Sequence, residues 1–207
     1  MKPRILLTVA TAGLLLAACS NPATGTPTPV PSAPGSSSAG SSSGNQALPY
    51  AGAPKVANPL PDNVIAGDPC QALTPEQIKK DVGHIADGQP DNSLPVGAGC
   101  NWFNTAGANL AVYYTNKRHE GLSPYYDGTK QQMKRWEPQT IQGYPAVAYS
   151  DKPGPVSHFC QVTVGIADTA DFAVGVHVGD ESTADACPVA AQIAGQVLSN
   201  LKQKAGG

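Results

Sequence analysis

Five cysteines and four histidines are the side chains in this sequence with the clearest capacity for covalent or metal chemistry. Cys19 stands alone near the N-terminus, whereas Cys70, Cys100, Cys160 and Cys187 are spread over the remaining chain. A cysteine nucleophile needs a free thiol beside a histidine, and a zinc site needs three or four closely placed ligands. The sequence contains no C-x-x-C and no H-E-x-x-H, so no motif indicates either chemistry.

The histidines do not converge in the elements that the sequence predicts. His158 and His177 lie on neighbouring strands, but the alternation gives them opposite faces, so one metal ion cannot bind both. His84 follows a helix-ending glycine and His119 lies in a turn, where both are expected to face solvent. We expect no metal site and no cofactor.

Acid/base and nucleophilic chemistry have equally little support. Asp168 and Asp171 flank a predicted turn, and Asp180, Glu181 and Asp185 precede the last predicted helix, where acidic residues favour the helix dipole. The predicted domain contains no G-x-S-x-G nucleophile elbow and no glycine-rich phosphate loop. The sequence predicts no catalytic residue.

Aromatic residues cluster between residues 100 and 150. Half of any strand faces the core, so most of them are expected to pack internally, and an outward remainder would line a groove for a glycan, lipid or protein partner. The candidate binding residues are Tyr113, Tyr125, Tyr126 and Trp136.

The elements that must position these residues follow from local signals. Thr74, Pro75 and Gln77 predict a capped first helix that stops at Gly83. Residues 100–103 and 109–115 read as a hairpin, residues 123–136 as a second helix, and residues 146–150 as a strand.

The C-terminal third has the strongest pattern. Apolar residues alternate over 158–166 and 172–178, which predicts two half-buried strands of one hairpin, and a stripe from Cys187 to Leu201 predicts an amphipathic helix. The order helix, two strands, helix, three strands, helix predicts an α+β domain with helices packed on an antiparallel sheet.

If the chain is exported, as its N-terminus indicates below, its four remaining cysteines favour structural disulfides, with three connectivities open. We expect Cys160–Cys187, because one lies on the inward face of a strand and the other on the apolar stripe of the last helix. We expect Cys70–Cys100 as a similar link between the first helix and the next strand.

The N-terminus predicts export. Lys2 and Arg4 precede an apolar run of fourteen residues, which is too short to span a bilayer and fits a signal sequence. Leu16, Ala17, Ala18 and Cys19 resemble the lipobox of a bacterial lipoprotein signal, and that resemblance implies cleavage before Cys19 and lipid attachment to its sulfur. The alternative is an ordinary secretory signal that leaves Cys19 as a spare thiol.

The chain therefore divides into a signal peptide (1–18), a Pro/Ser/Gly-rich disordered tether (19–60) and one globular domain (61–204). Without Lys2 and Arg4, the 13 basic residues become 11 against 15 acidic ones. Because this balance is acidic and has no basic run, nucleic acid is not an expected partner.

The order of short motifs resembles a family of actinobacterial envelope lipoproteins that share a domain of unknown function. The motifs are D-P-C (68–70), C-x-W (100–102), G-Y-P-A-V (143–147), C-x-V-x-V-G-I-A-D (160–168) and the cysteine helix (186–201). Asp185-Ala186-Cys187 departs from the Asp-Pro-Cys expected there. The resemblance implies location and fold, without a reaction.

We therefore expect a lipid-anchored protein on the extracytoplasmic face of the cell membrane that acts as a non-enzymatic binding module for an envelope protein, glycan or lipid. The alternative is a cell-wall- or lipid-modifying enzyme whose site is too dispersed to recognise. A deep polar pocket with convergent ionisable groups would favour the enzyme, and a shallow apolar patch rimmed by tyrosines would favour the binding module.

Overall fold

The computed structural model describes residues 46–83 and 87–206. In these residues the helices are α1 (Pro75–Val82), α2 (Lys130–Gln132), which directly follows a π-helical turn over Tyr125–Thr129, and α3 (Ala186–Gly206). Two 3-10 turns, Asp62–Ile65 and Pro69–Gln71, precede α1.

The capping box predicted for the first helix is confirmed. The Thr74 hydroxyl accepts from the Gln77 N–H at 3.3 Å, and Gln77 Oε1 accepts from the Thr74 N–H at 2.8 Å. Gly83 ends α1 at φ +86°, a left-handed conformation that glycine adopts without strain.

The described residues form one antiparallel sheet of seven strands, in the order β1-β2-β3-β7-β6-β5-β4. The strands are β1 (Gln89–Asp91), β2 (Ala98–Phe103), β3 (Asn109–Tyr114), β4 (Arg135–Ile141), β5 (Tyr144–Ser150), β6 (Phe159–Ala167) and β7 (Ala170–His177). The α+β class with helices on an antiparallel sheet is therefore confirmed.

The predicted order of elements is wrong in two places, because both edge strands lack a strand pattern. β1 has three residues and contains a proline. Arg135 and Trp136, the first two residues of β4, were expected to belong to the second helix, but the helix ends at Gln132 and residues 135–141 pair with β5. Pro138 lies within β4, which is tolerated because an edge strand leaves one side unpaired.

One face of the sheet carries the apolar core and is covered by α3. Val162, Val164 and Phe172 have no exposed surface, and Ile193 and Leu198 of α3 are also buried. The stripe predicted for the last helix therefore faces the sheet, and we refer to this side as the helix face.

Both expected disulfides are confirmed. Cys70–Cys100 links the second 3-10 turn to β2, and Cys160–Cys187 links β6 to the first turn of α3. Near the second bond, Asp185 lies against Arg135 at 2.8 Å and accepts from the Ser157 N–H at 3.1 Å. These contacts attach the beginning of α3 to the edge strand β4.

The opposite face is covered because of the strand order. The chain leaves β3 near the middle of the sheet and must cross β7, β6 and β5 to reach the edge strand β4. Residues 115–134 make this crossing, and Tyr125 in them contacts both β5 and β7 through Tyr149 and Asp171. We call residues 115–134 the crossover segment and this side of the sheet the crossover face.

Residues 50–60, which the sequence interpretation assigns to the tether, pack against the crossover segment and the β6–β7 hairpin. The Tyr50 N–H donates to Ser123 Oγ at 3.1 Å, and the Val56 N–H donates to Asp168 Oδ1 at 2.8 Å. The Leu60 N–H donates to the Ile166 carbonyl at 2.8 Å. The packed chain thus begins before residue 61.

Candidate functional site

A cavity of about 220 Å³ lies under the crossover segment, against β6 and β7. Its wall consists mainly of crossover residues, and Asp171 and Gln161 form the part that belongs to the sheet. The other lining residues are Val96, Thr115, Arg118, Glu120, Gly121, Pro124, Tyr125 and Thr129. We call this space the Asp171 cavity.

Asp171 is the buried ionisable group of this cavity, with 3% of its surface exposed. The Tyr125 hydroxyl donates to Asp171 Oδ1 at 3.1 Å, and the Thr115 hydroxyl donates to the Asp171 main-chain carbonyl at 2.8 Å. Burial raises the pKa of Asp171 to about 7, although hydrogen bonds from Thr115 and Tyr125 and the charge of Arg118 oppose the rise.

Arg118 and Glu120 lie at the mouth of the cavity, where the side chains are 51% and 34% exposed. Arg118 Nε lies 3.2 Å from Glu120 Oε2, and the Tyr50 hydroxyl donates to Glu120 Oε1 at 3.0 Å. Both carboxylate oxygens of Glu120 are therefore engaged. An ion pair this exposed contributes about 0–1 kcal/mol to stability, so a ligand can rearrange it at low cost.

Aromatic rings form a cluster beside the cavity. The Trp136 and Tyr149 rings stack at 5.7 Å, Tyr126 meets Trp136 edge-on at 5.2 Å, and Tyr125 lies 6.2 Å from Tyr149. Burial raises the pKa values of both Tyr125 and Tyr149 well above the usual value for tyrosine.

The structure brings together three of the four candidate binding residues, Tyr125, Tyr126 and Trp136. Tyr113 lies on the same face but on β3, and two strands separate it from Tyr149 on β5. Its ring packs over Gly99, where an added Cβ would meet it at 2.7 Å. Tyr113 therefore does not belong to the cluster.

The expectation that Asp171 is only a turn residue is wrong. Asp171 pairs with Gly165 inside the β6–β7 ladder, and its side chain is enclosed beneath the crossover segment. Asp168, at the other end of the turn, accepts a hydrogen bond from the main chain and has the structural role that was expected. The strand alternation indicates the face of Asp171, but not that this face is covered.

The cavity can bind a polar group and exchange a proton near neutral pH, since its carboxyl group has a pKa of about 7. Its hydroxyl groups belong to Thr115, Tyr125 and Thr129, and none of the histidines that the structure describes lines it. Within residues 46–83 and 87–206, no group of three or more His, Cys, Asp or Glu side chains is arranged to hold a metal ion. His119 is exposed, and His177 lies 3.2 Å from Asp180 on the protein surface.

The predicted lipobox and Cys19, the signal peptide, the tether up to residue 45 and His84 lie outside the described residues. None of the helices in the described part of the chain combines the length and apolar character that crossing a bilayer requires.

Comparison with known proteins places the chain in a family of unknown function. No curated protein and no solved structure matches the chain significantly. The model of the family described as "Protein of unknown function (DUF3558)" matches residues 14–200, which is most of the sequence. The chain therefore belongs to the DUF3558 family.

Proposed function

We propose that this protein is a lipid-anchored binding protein on the extracytoplasmic face of the cell membrane, and that its ligand occupies the Asp171 cavity. The observation that carries the binding role is a buried carboxyl group at an accessible cavity. Burying an ionisable group lowers stability, so such groups concentrate at functional sites. The volume fits one small polar molecule or the end group of a larger envelope component.

The location rests on the sequence and on the disulfides. Leu16 to Cys19 resembles a lipobox after a charged and apolar leader, as in the actinobacterial envelope lipoproteins described above. Cys70–Cys100 and Cys160–Cys187 support export, because disulfides form and persist in oxidising compartments. Two acyl chains on Cys19 would provide stable anchoring.

A Cys19→Ala variant tests the anchor. We expect it to lose acyl labelling and to leave the membrane fraction, because no other residue in the sequence has a lipobox before it. The unaltered chain, expressed at the same level, is the control. A variant that remains labelled and membrane-bound would contradict the proposal.

A pair of cavity variants tests the binding role. Thr129→Trp places a large side chain on the cavity wall, whereas Thr140→Trp places it on the exposed edge strand β4. Detergent-solubilised full-length protein is screened by thermal shift against small sugars, amines, amino acids and phosphates. We expect compounds that stabilise the unaltered protein to stabilise Thr140→Trp and not Thr129→Trp. Equal stabilisation of both variants, or none by any compound, would count against the cavity.

A wall- or lipid-modifying enzyme is the second candidate, and one observation favours it. The pKa of Asp171 lies near 7, which suits a general acid or base at neutral pH. Glu120, the other carboxylate of the cavity, is held by Arg118 and Tyr50. Incubation with isolated cell wall or lipid, followed by product detection, separates the candidates, since a binding protein leaves its ligand unchanged.

A further inference from the structure

Asp171 and Asp185 are both largely enclosed carboxyl groups, but only Asp185 forms an ion pair with a basic side chain among the described residues. Arg135 Nη1 lies 2.8 and 2.9 Å from the two Asp185 oxygens, so this acid has a bidentate contact with a cation. Among the described residues, no basic side chain lies within 4.0 Å of Asp171. The Tyr125 hydroxyl donates to the Asp171 carboxylate instead, and the Thr115 hydroxyl donates to the Asp171 main-chain carbonyl.

A buried carboxylate is costly unless a cation or several strong hydrogen bonds compensate it. The hydroxyl of Tyr125 compensates part of that cost, and it remains a neutral donor because its pKa lies far above neutral. Arg118 lines the same cavity and its charge lowers the pKa of Asp171, but Arg118 pairs with Glu120 and makes no ion pair with the Asp171 carboxylate. A cationic group on a ligand can therefore provide the direct counter-ion that the described side chains do not.

The charges around the cavity agree with this requirement. Arg118 and Glu120 at the mouth carry opposite charges and pair with each other, so the ionised Asp171 leaves the lining with a net negative charge. An anionic ligand would meet an uncompensated carboxylate at close range. A neutral polyol would form hydrogen bonds but would leave the carboxylate without a counter-ion.

We infer that the cavity selects its ligand through a primary ammonium group, which lies against the Asp171 carboxylate as its counter-ion. This inference rests on the proposed binding function and specifies the ligand class. Gln161 and Thr129 line the same space and supply an amide and a hydroxyl for polar groups next to the ammonium. The ligand is thus a small amine with neighbouring hydroxyl or amide groups, carried either on a sugar or on an alkyl chain.

Two matched pairs of probes test the inference on detergent-solubilised full-length protein by calorimetric titration. The first pair is glucose and the glucose derivative whose terminal hydroxymethyl is replaced by aminomethyl. The second pair is pentanediol and aminopentanol. In each pair one hydroxyl becomes an ammonium while the size stays nearly constant, and the two pairs distinguish a sugar carrier from an alkyl carrier.

We expect the amine of at least one pair to bind about tenfold or more tightly than its hydroxyl partner at about pH 8, the gain of one charge-assisted contact. Binding should weaken about tenfold at about pH 6, because Asp171, with its pKa of about 7, must be ionised to pair with the cation. The other charged or titratable groups facing it are Arg118, Glu120, Tyr125 and Tyr149, and burial raises the pKa values of the two tyrosines far above this range. Alkyl ammonium groups also remain charged throughout.

Asp171→Asn keeps the shape of the side chain and should remove both the preference for the amine and the pH dependence. Asp151→Asn, at an exposed residue, is the matched control and should retain both. The melting temperature of each variant shows that it is folded.

Three outcomes would overturn the inference. Equal affinity for both members of each pair, abolished by Thr129→Trp, would leave the binding function intact and remove the ammonium preference. An amine preference that persists in Asp171→Asn would remove Asp171 as the counter-ion. If neither amine binds at millimolar concentration, the ammonium inference fails, and the cavity comparison of Thr129→Trp with Thr140→Trp then decides the binding function separately.

Discussion

The two faces of β6 and β7 carry different kinds of side chain. The helix face has Val162, Val164 and Phe172, none of which has exposed surface. The crossover face of the same two strands has Thr163 and Asp171. Both faces are covered, but by different means. The helix face is closed by apolar packing and a disulfide to α3. The crossover face is closed by a connecting segment whose Tyr125 contacts Tyr149 of β5 and donates to the Asp171 carboxylate of β7.

The difference separates what stabilises the fold from what lowers its stability. Apolar side chains and disulfides contribute directly to stability. A buried carboxyl group with a strongly raised pKa opposes it, because the unfolded chain ionises more readily than the folded one. A fold whose stability resides on one face can retain an unfavourable group on the other, and that is where we place the ligand.

The largest effect is expected from removing the helix-face disulfide. The Cys160→Ala/Cys187→Ala double variant opens a loop with a separation of 27 residues, and the chain-entropy model assigns such a bond about 3–4 kcal/mol. For a domain of this size, the melting temperature should fall by about 7–14 °C. Thermal denaturation under non-reducing conditions measures it.

This variant also tests the separation of the two faces. Because the bond lies on the helix face, binding at the Asp171 cavity should be retained below the new melting temperature. The Cys70–Cys100 bond, left intact in the same chain, is the internal control for oxidative folding. A melting temperature within error of the parent, or loss of cavity binding in the folded variant, would break the comparison.

The same comparison explains what the sequence could predict. The helix face was predictable because its signals are local. They are the alternation in residues 158–166 and 172–178, the apolar stripe of the last helix, and the positions of Cys160 and Cys187 on the inward sides of a strand and a helix. The alternation of side chains along a strand and their spacing along a helix depend only on neighbouring residues. The disulfide pairing followed from those two patterns.

The crossover face was not predictable by that route. Its cover depends on β3 pairing with β7 and on β4 lying at the far edge, so that residues 115–134 must pass over three strands. No local pattern indicates that path, and the first two residues of the polar edge strand β4 were assigned to the end of a helix. The sequence consequently predicted only a position beside a turn for Asp171, whereas the structure encloses its side chain.

A smaller effect is expected from pH. Because burial raises the folded-state pKa of Asp171 to about 7, above the ordinary 3.8, the folded protein binds more protons than the unfolded chain between these values. Stability from this group is therefore complete below about pH 4, falls as the pH rises, and stays constant above about pH 7. The slope is about 1 kcal/mol per pH unit between about pH 5 and 7.

Urea denaturation at several pH values measures this slope, and Asp171→Asn should flatten it. Asp185, which pairs with Arg135 near the beginning of α3, is the acid with which Asp171 is compared. Burial opposes its ionisation, but hydrogen bonds from Arg135 and from the Ser157 and Cys187 N–H groups lower its pKa overall, so its contribution is lost only as the pH falls below about 4. If Asp171→Asn retains the slope of the parent between pH values of about 5 and 7, the assignment to Asp171 is wrong.

The smallest effect is expected at Trp136. Its Nε1–H is buried and has no hydrogen-bond partner among the described residues, while its ring stacks on Tyr149 at 5.7 Å. In the parent, the buried and unsatisfied donor lowers the free energy of unfolding by about 1–3 kcal/mol, and Trp136→Phe removes it. The same substitution removes buried ring area that contributes about 1 kcal/mol to stability. The two changes oppose each other, so the free energy of unfolding should change by less than about 1 kcal/mol.

Trp102→Phe is the matched control on β2, where the indole is 1% exposed in the apolar core. Truncation leaves a cavity there and should lower the free energy of unfolding by about 1–3 kcal/mol. Chemical denaturation of both variants compares them directly, and a Trp136→Phe loss as large as that of Trp102→Phe would mean that the crossover face is packed for stability as tightly as the helix face.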